Sequence, residues 1–132
     1  MHSLLDTNWV IFGLINDRAA VDLIDTLMAA GVAVSMVTAM EAYQGTLRET
    51  TSEAERAAFA RFFATVPILP FSAPVARRCA ELRHQLKQQG KRVNSRAMDL
   101  IIAATALDYG LELVTRNTSD DDDVPGLTVY RR

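Results

Sequence analysis

Three acids in this 132-residue chain stand beyond short apolar runs. Asp6 follows Ser3-Leu4-Leu5, Glu41 comes four residues after the run Val32 to Val37, and Asp120 lies in the loop after Leu113-Val114-Thr115. If those runs are parallel strands of one sheet, all three acids converge on the edge where ligands bind, beyond the carboxyl ends of the strands. A fourth acid, Asp99, is the only charged residue from Ala97 to Leu107, and Thr105 is the only other polar one. A helix that apolar is expected to be buried nearly all round, and a carboxylate buried there must be paired or bind a cation. Its place in the first turn lets the helix dipole favour the ionised form. Crowded carboxylates repel one another unless a hard cation sits between them, and Mg2+ or Mn2+ is the natural occupant of an all-oxygen site. The chemistry that would follow is metal-assisted phosphoryl transfer, in which the ion activates water and neutralises charge developing on a phosphodiester.

Each acid also has a purely structural reading. Asp6-Thr7-Asn8 supplies N-cap chemistry for a helix that follows. Thr38-Ala39-Met40-Glu41 reads as a capping box, with Glu41 folded back onto the Thr38 backbone N–H. Asp99 could pair with a nearby arginine, and the run Asp120 to Asp123 could be a solvated loop. That run lacks the spaced ligands and terminal glutamate of an EF-hand.

The elements that must position these residues follow from periodicity. Short strands are expected at Ser3–Leu5, Val32–Val37, Pro67–Pro70, Leu113–Thr115 and Leu127–Val129, with the prolines placing the third at an edge. Helices are expected over Trp9–Ile15, around Val21 to Met28 up to Gly31, from Thr38 to about Leu47, from Glu53 to Ala64, along the stripe Val75, Cys79, Leu82 and Leu86 to near Gly90, and over Ala97–Tyr109, closed by Gly110. Strands alternating with helices, without hairpin signals, imply crossover connections. The fold class is α/β: a three-layer α/β/α arrangement around a mostly parallel sheet of about five strands, in one domain spanning residues 1–132.

Composition narrows the function classes. With 49% hydrophobic and 23% charged residues, six glycines and four prolines, the chain is not disordered or low-complexity. One cysteine cannot form an internal disulfide, and the N-terminus lacks a basic leader, so a cytoplasmic protein is expected. No apolar run approaches the roughly 18 residues of a membrane span. The net charge of −2 hides an asymmetry. Between Arg77 and Arg96 seven basic residues face Glu81 alone, and from Asp99 to Asp123 seven acids face Arg116 alone. Such neighbours suit a site that holds cations and also receives an anion. His2 and His84 read as surface residues and Cys79 as core. No glycine-rich dinucleotide or P-loop motif is present.

Taken with its segments Leu4-Leu5-Asp6-Thr7-Asn8, Glu41-Ala42-Tyr43-Gln44-Gly45, Asp99-Leu100-Ile101-Ile102-Ala103-Ala104-Thr105-Ala106 and Thr115-Arg116-Asn117-Thr118-Ser119-Asp120, the chain resembles PIN-domain ribonucleases, most closely VapC-type toxins of bacterial toxin–antitoxin pairs. The resemblance runs from about Leu4 to Val129. It implies a PIN-like fold in which Asp6, Glu41, Asp99 and Asp120 form an acidic quartet around Mg2+ or Mn2+. Thr7, Asn8 and Thr115 would line the site and Asn117 would support the metal shell. The implied activity is endoribonuclease cleavage of a structured RNA, leaving 5′-phosphate and 3′-hydroxyl ends. The implied partners are a cognate VapB-like antitoxin and a second copy of the chain, with no membrane. Arg116, Arg77, Arg83 and Arg92 would contact RNA phosphates. One departure stands out: relatives commonly carry an aromatic residue after the acid matching Asp120, where this chain has Asp121, whose side chain is expected to face water. A PIN-like module that only binds and a phospho-accepting receiver domain are the rival readings. The receiver needs a lysine after its last strand, and the only lysines are Lys87 and Lys91.

Overall fold

Strand β1 (Ser3–Leu5) sits in the middle of a parallel sheet, with β2 (Val32–Ser35) on one side and β4 (Glu112–Val114) on the other. β3 (Ile68–Leu69) pairs with β2 at the edge, giving the order β3-β2-β1-β4. The computed structural model describes residues 1–14, 18–116 and 121–130. Leu4 lies opposite Ala33 and Leu113, and Leu5 opposite Val34 and Val114. Because strand side chains alternate between faces, this register separates two cores. Leu5, Val34 and Val114 pack with α1 (Thr7–Leu14), α2 (Arg18–Met28) and α4 (Glu53–Thr65), whose Phe59, Phe62 and Phe63 close that side. Leu4, Ala33 and Leu113 pack on the opposite face with Ile102 and Ala106 of α6 (Ala97–Tyr109). α5 (Ala73–Gln88) lays its stripe of Val75, Cys79, Leu82 and Leu86 against the outer side of α6. Hence α6 is buried on two sides, which explains why its sequence is apolar nearly all round. The expected α/β/α layering is present.

Several expectations change. The second strand stops at Ser35 rather than Val37, because the Ser35 side chain caps α3 (Met36–Thr46) by accepting from the Thr38 backbone N–H at 3.0 Å. The capping box expected at Thr38 and Glu41 therefore does not form, and Glu41 is left to point elsewhere. The fifth strand reduces to one parallel bridge between Leu113 and Val129, supported by Leu113 N–H to Thr128 O and Tyr130 N–H to Leu113 O, both 2.8 Å. Helix α1 begins at Thr7, two residues earlier than expected, and Ile15 lies outside the described residues. Gly110 ends α6 at φ 67°, a left-handed conformation that glycine adopts without steric cost. Among the described residues no helix is long and apolar enough to cross a membrane.

Candidate active site

In a parallel sheet the crossover helices run back against the strands, so the strands' carboxyl ends and the helix N-termini share one edge. β1 delivers Asp6 to that edge, β4 delivers Thr115, and α6 presents Asp99 in its first turn. The Asp6 backbone N–H donates to Val114 O at 2.9 Å, so the acid is anchored between the two central strands. Its two carboxylate oxygens have different partners. Oδ1 accepts from the Thr7 backbone N–H at 2.6 Å, and Oδ2 accepts from the Thr115 hydroxyl at 2.8 Å. Asp6 O also accepts from Val10 N–H at 3.3 Å, which makes Asp6 the residue that opens α1. The capping role and a place in the site therefore coexist at one residue.

Glu41 enters from α3. The Thr7 hydroxyl donates to Glu41 Oε1 at 2.6 Å. Thr7 also lies 3.2 Å from the Thr38 hydroxyl, which lies 3.2 Å from that of Ser35. A hydroxyl has one proton. With the Thr7 proton spent on the carboxylate, one orientation satisfies every link: Ser35 donates to Thr38, Thr38 to Thr7, and Thr7 to Glu41. Ser35 and Thr38 are fully buried and Thr7 is 9% exposed, so this chain of hydroxyls is part of the core.

Asp6, Glu41 and Asp99 line one open cavity of about 580 Å³, together with Thr7, Asn8 and Thr115. Burial pushes the Asp6 carboxyl above its usual range. The bonds from Thr115 and Thr7 oppose that shift, and the neighbouring charge of Glu41 adds to it. Asp99 differs from expectation: it is exposed, just ahead of Leu100, the first fully buried residue of α6. Burial therefore does not demand a cation at Asp99, which nevertheless lines the cavity. Asp120 and Asn117 lie outside the described residues.

Asp121 departs from the expectation for it. Instead of facing water it is 8% exposed and lines the same cavity, followed by Asp122 and Asp123. A run of four aspartates carries no local mark of which one turns inward. Asp123 forms a two-pronged ion pair with Arg96, both N–O distances being 2.8 Å. This pair holds the Asp123 carboxyl below its usual range, chiefly through the hydrogen bonds from Arg96.

The basic stretch divides. Lys91, Arg92 and Arg96 line the cavity beside the acids, as the charge asymmetry suggested. Arg77 is exposed and is not part of the cavity wall. Arg83 is engaged with Val93 O at 3.4 Å and Asn94 Oδ1 at 3.0 Å, holding the turn after α5. Arg116 is exposed, with its guanidinium 5.2 Å from the centre of the Trp9 ring, within cation–π range. His2 and His84 are on the surface and Cys79 is in the core, as expected.

Every candidate ligand at the cavity is a carboxylate oxygen, a donor set suited to a hard divalent cation and unsuited to a soft one. Among the described residues no three carboxylate, histidine or cysteine side chains are drawn together closely enough to hold a metal on their own. The Asp6 carboxyl is desolvated and next to Glu41, so a nearby cation would stabilise its ionised form.

The sequence and fold can be set beside known proteins. The family model for the PIN domain matches residues 3–122. The tRNA(fMet)-specific endonuclease VapC of Shigella flexneri is 32% identical over 124 residues, covering 94% of this chain and 92% of that protein. The structure of DNA-bound VapBC from Salmonella typhimurium superposes with a TM-score of 0.86 at 24% identity, covering 98% of this chain and 97% of the other. A toxin–antitoxin complex from Klebsiella pneumoniae superposes with a TM-score of 0.70 at 30% identity, covering 98% and 99%. The receiver reading falls with these matches. The strand ends that carry Asp6 and Thr115, the helix that carries Asp99 and the agreement of sequence and fold over nearly the whole chain lead to one conclusion: the chain belongs to the PIN-domain family, in its VapC-type branch.

Proposed function

We propose that the chain is a metal-dependent endoribonuclease and the toxin of a toxin–antitoxin pair. The observation that carries this reading is the bridge from Thr115 through Asp6 and Thr7 to Glu41, which fixes two carboxylates at the edge of a cavity also lined by Asp99, Lys91 and Arg92. Asp6, Glu41 and Asp99, with Asp120 or Asp121 as the fourth acid, would hold Mg2+ or Mn2+. When bound, the ion supplies electrophilic activation of water and of the phosphodiester.

The protein's own groups do the rest. Thr115 and the Thr7 backbone N–H hold Asp6 in one rotamer. Thr7 donates to Oε1 of Glu41 and so orients the carboxylate, whose remaining lone pairs can hold the cation or accept a proton. Lys91 and Arg92 receive the phosphates of the RNA chain, with Arg116 on its Trp9 support at the end of β4. Asn8 and Asn117 would complete the polar lining. The RNA 2′-hydroxyl is not consumed, so the products are 5′-phosphate and 3′-hydroxyl ends. The endonucleases of this type from Shigella flexneri and Salmonella typhimurium are tRNA(fMet)-specific, which makes initiator tRNA the first structured RNA to try.

Two partners belong to this reading. A cognate antitoxin is supported by the toxin–antitoxin complex of the Klebsiella pneumoniae relative. A second copy of the chain is supported by Met36, Met40 and Tyr43 of α3 and Leu47 at its C-cap, large apolar side chains left exposed at helical spacing. The deciding experiment incubates purified protein with initiator tRNA in Mg2+ or Mn2+ and maps the RNA ends. Cleavage that stops in EDTA, leaves 5′-phosphates and is lost in Asp6→Asn is the expected result. Ends carrying 2′,3′-cyclic phosphate, or undiminished cleavage by Asp6→Asn, would overturn it.

A further inference from the structure

An ion pair between Arg96 and Asp123 ties the turn at residues 121–124 to the start of the helix that bears Asp99. Arg96 directly precedes α6, so its backbone is continuous with the turn that presents Asp99. Its guanidinium meets Asp123 with two parallel bonds of 2.8 Å, and the two side chains are only 15% and 21% exposed. A second tether lies one residue on. Val124 is buried against α5 and α6, and its N–H donates to Asp121 O at 3.1 Å. Asp121, two residues before the ion pair, is thereby turned into the cavity that Asp6, Glu41 and Asp99 line.

We infer that Arg96 and Asp123 are positioning residues, a clamp that holds Asp121 at the acidic cavity and so sets the cavity's affinity for a divalent cation. This rests on the proposed function's reading of the cavity as a cation site. The geometry distinguishes a clamp from a charge acting through space. Arg96 is a cation among Asp99, Asp121 and Asp123, so by charge alone its loss would strengthen cation binding while the loss of Asp123 would weaken it. A clamp has no such sign difference. Loss of either partner frees the same turn, and both changes weaken binding. A two-pronged pair is also specific to the planar guanidinium, so Arg96→Lys retains the charge and loses the geometry.

The test measures Mn2+ affinity by calorimetry and deuterium uptake of the 121–126 segment, on the full chain, for the unsubstituted protein, Arg96→Met, Arg96→Lys, Asp123→Asn and the exchanged pair Arg96→Glu with Asp123→Arg. Both single neutral variants should bind Mn2+ about tenfold more weakly, the scale of losing a ligand's supporting partner, and should take up deuterium faster in that segment. Arg96→Lys should fall between them and the unsubstituted protein, and the exchanged pair should recover affinity and protection. Tighter Mn2+ binding by Arg96→Met, or unchanged uptake in both neutral variants, would overturn the clamp. If the neutral variants do not fold, Arg96→Lys and the exchanged pair decide, and full affinity in Arg96→Lys counts against it. Absence of Mn2+ binding by the unsubstituted protein would sink the cation reading itself, and segment uptake then decides the clamp alone.

Discussion

Thr7 and Glu41, 34 residues apart in sequence, are joined by a hydroxyl-to-carboxylate bond of 2.6 Å. The same Thr7 gives its backbone N–H to Asp6. One residue therefore sets the orientation of two acids that arrive on different elements, β1 and α3, and the buried hydroxyls of Thr38 and Ser35 stand behind it.

Thr7→Val keeps the shape of the side chain and removes its donor. RNA cleavage should fall about 10- to 100-fold, as when a ligand's supporting partner is lost, while stability falls by about 1 kcal/mol. Thr7→Ser should restore most of the rate. Single-turnover cleavage with chemical denaturation of each variant reads both quantities, and an unchanged rate in Thr7→Val would show that Glu41 needs no orienting hydroxyl.

Asp6→Asn separates catalysis from stability. Burial penalises the ionised carboxyl, so the neutral amide should melt no lower than the unsubstituted protein in EDTA, although it cleaves no RNA. Calorimetric melting in EDTA is the check. A clear drop in melting temperature would make Asp6 chiefly the residue that holds β1 to α1.

The arginines should sort by place. Arg92→Gln, at the cavity, should weaken RNA binding and reduce the salt slope by about 0.7 to 0.9 per lost phosphate contact. Arg83→Gln should leave the slope and lower stability, because its guanidinium holds Val93 and Asn94. Filter binding across salt concentrations distinguishes them, and equal slopes for Arg92→Gln and the unsubstituted protein would remove Arg92 from the interface. Arg77, outside the cavity wall, serves as the comparison.

Cys79 is 4% exposed, and burial pushes its thiol above the ordinary thiol range, partly opposed by Arg83. The folded protein should resist alkylation at pH 8 and react only on unfolding. The sign for stability follows. The unfolded thiol ionises near 9.0 and the folded one only at higher pH, so stability should decline as pH rises past 9.0. Rapid labelling of native protein at pH 8 would contradict the burial.

Much of the fold is legible in residues 1 to 132 because its signals are local. The strand at Ser3–Leu5 and the helix Ala97–Tyr109 with Gly110 as its stop coincide with expectation, since β-run, helical period and left-handed glycine each act over a few residues. Asp6 and Asp99 reach the cavity for a reason of topology that alternating strands and helices already imply. Local rules failed where two of them competed. Ser35 and Thr38 are both good helix caps, and sequence cannot say which one ends the strand; the packing of β2 chose Ser35, which released Glu41 to meet Thr7. Asp121, expected to face water, is buried at the cavity instead, because the aspartates of the run 120–123 are identical side chains that differ only in what surrounds them. That surrounding is supplied by Arg96, 27 residues before Asp123, and by the burial of Val124 against α5 and α6. Residue type determined that this protein would carry an oxygen-rich edge beside a basic one; only tertiary contact, which joins residues distant in sequence, decided which acids share the cavity and what holds them there.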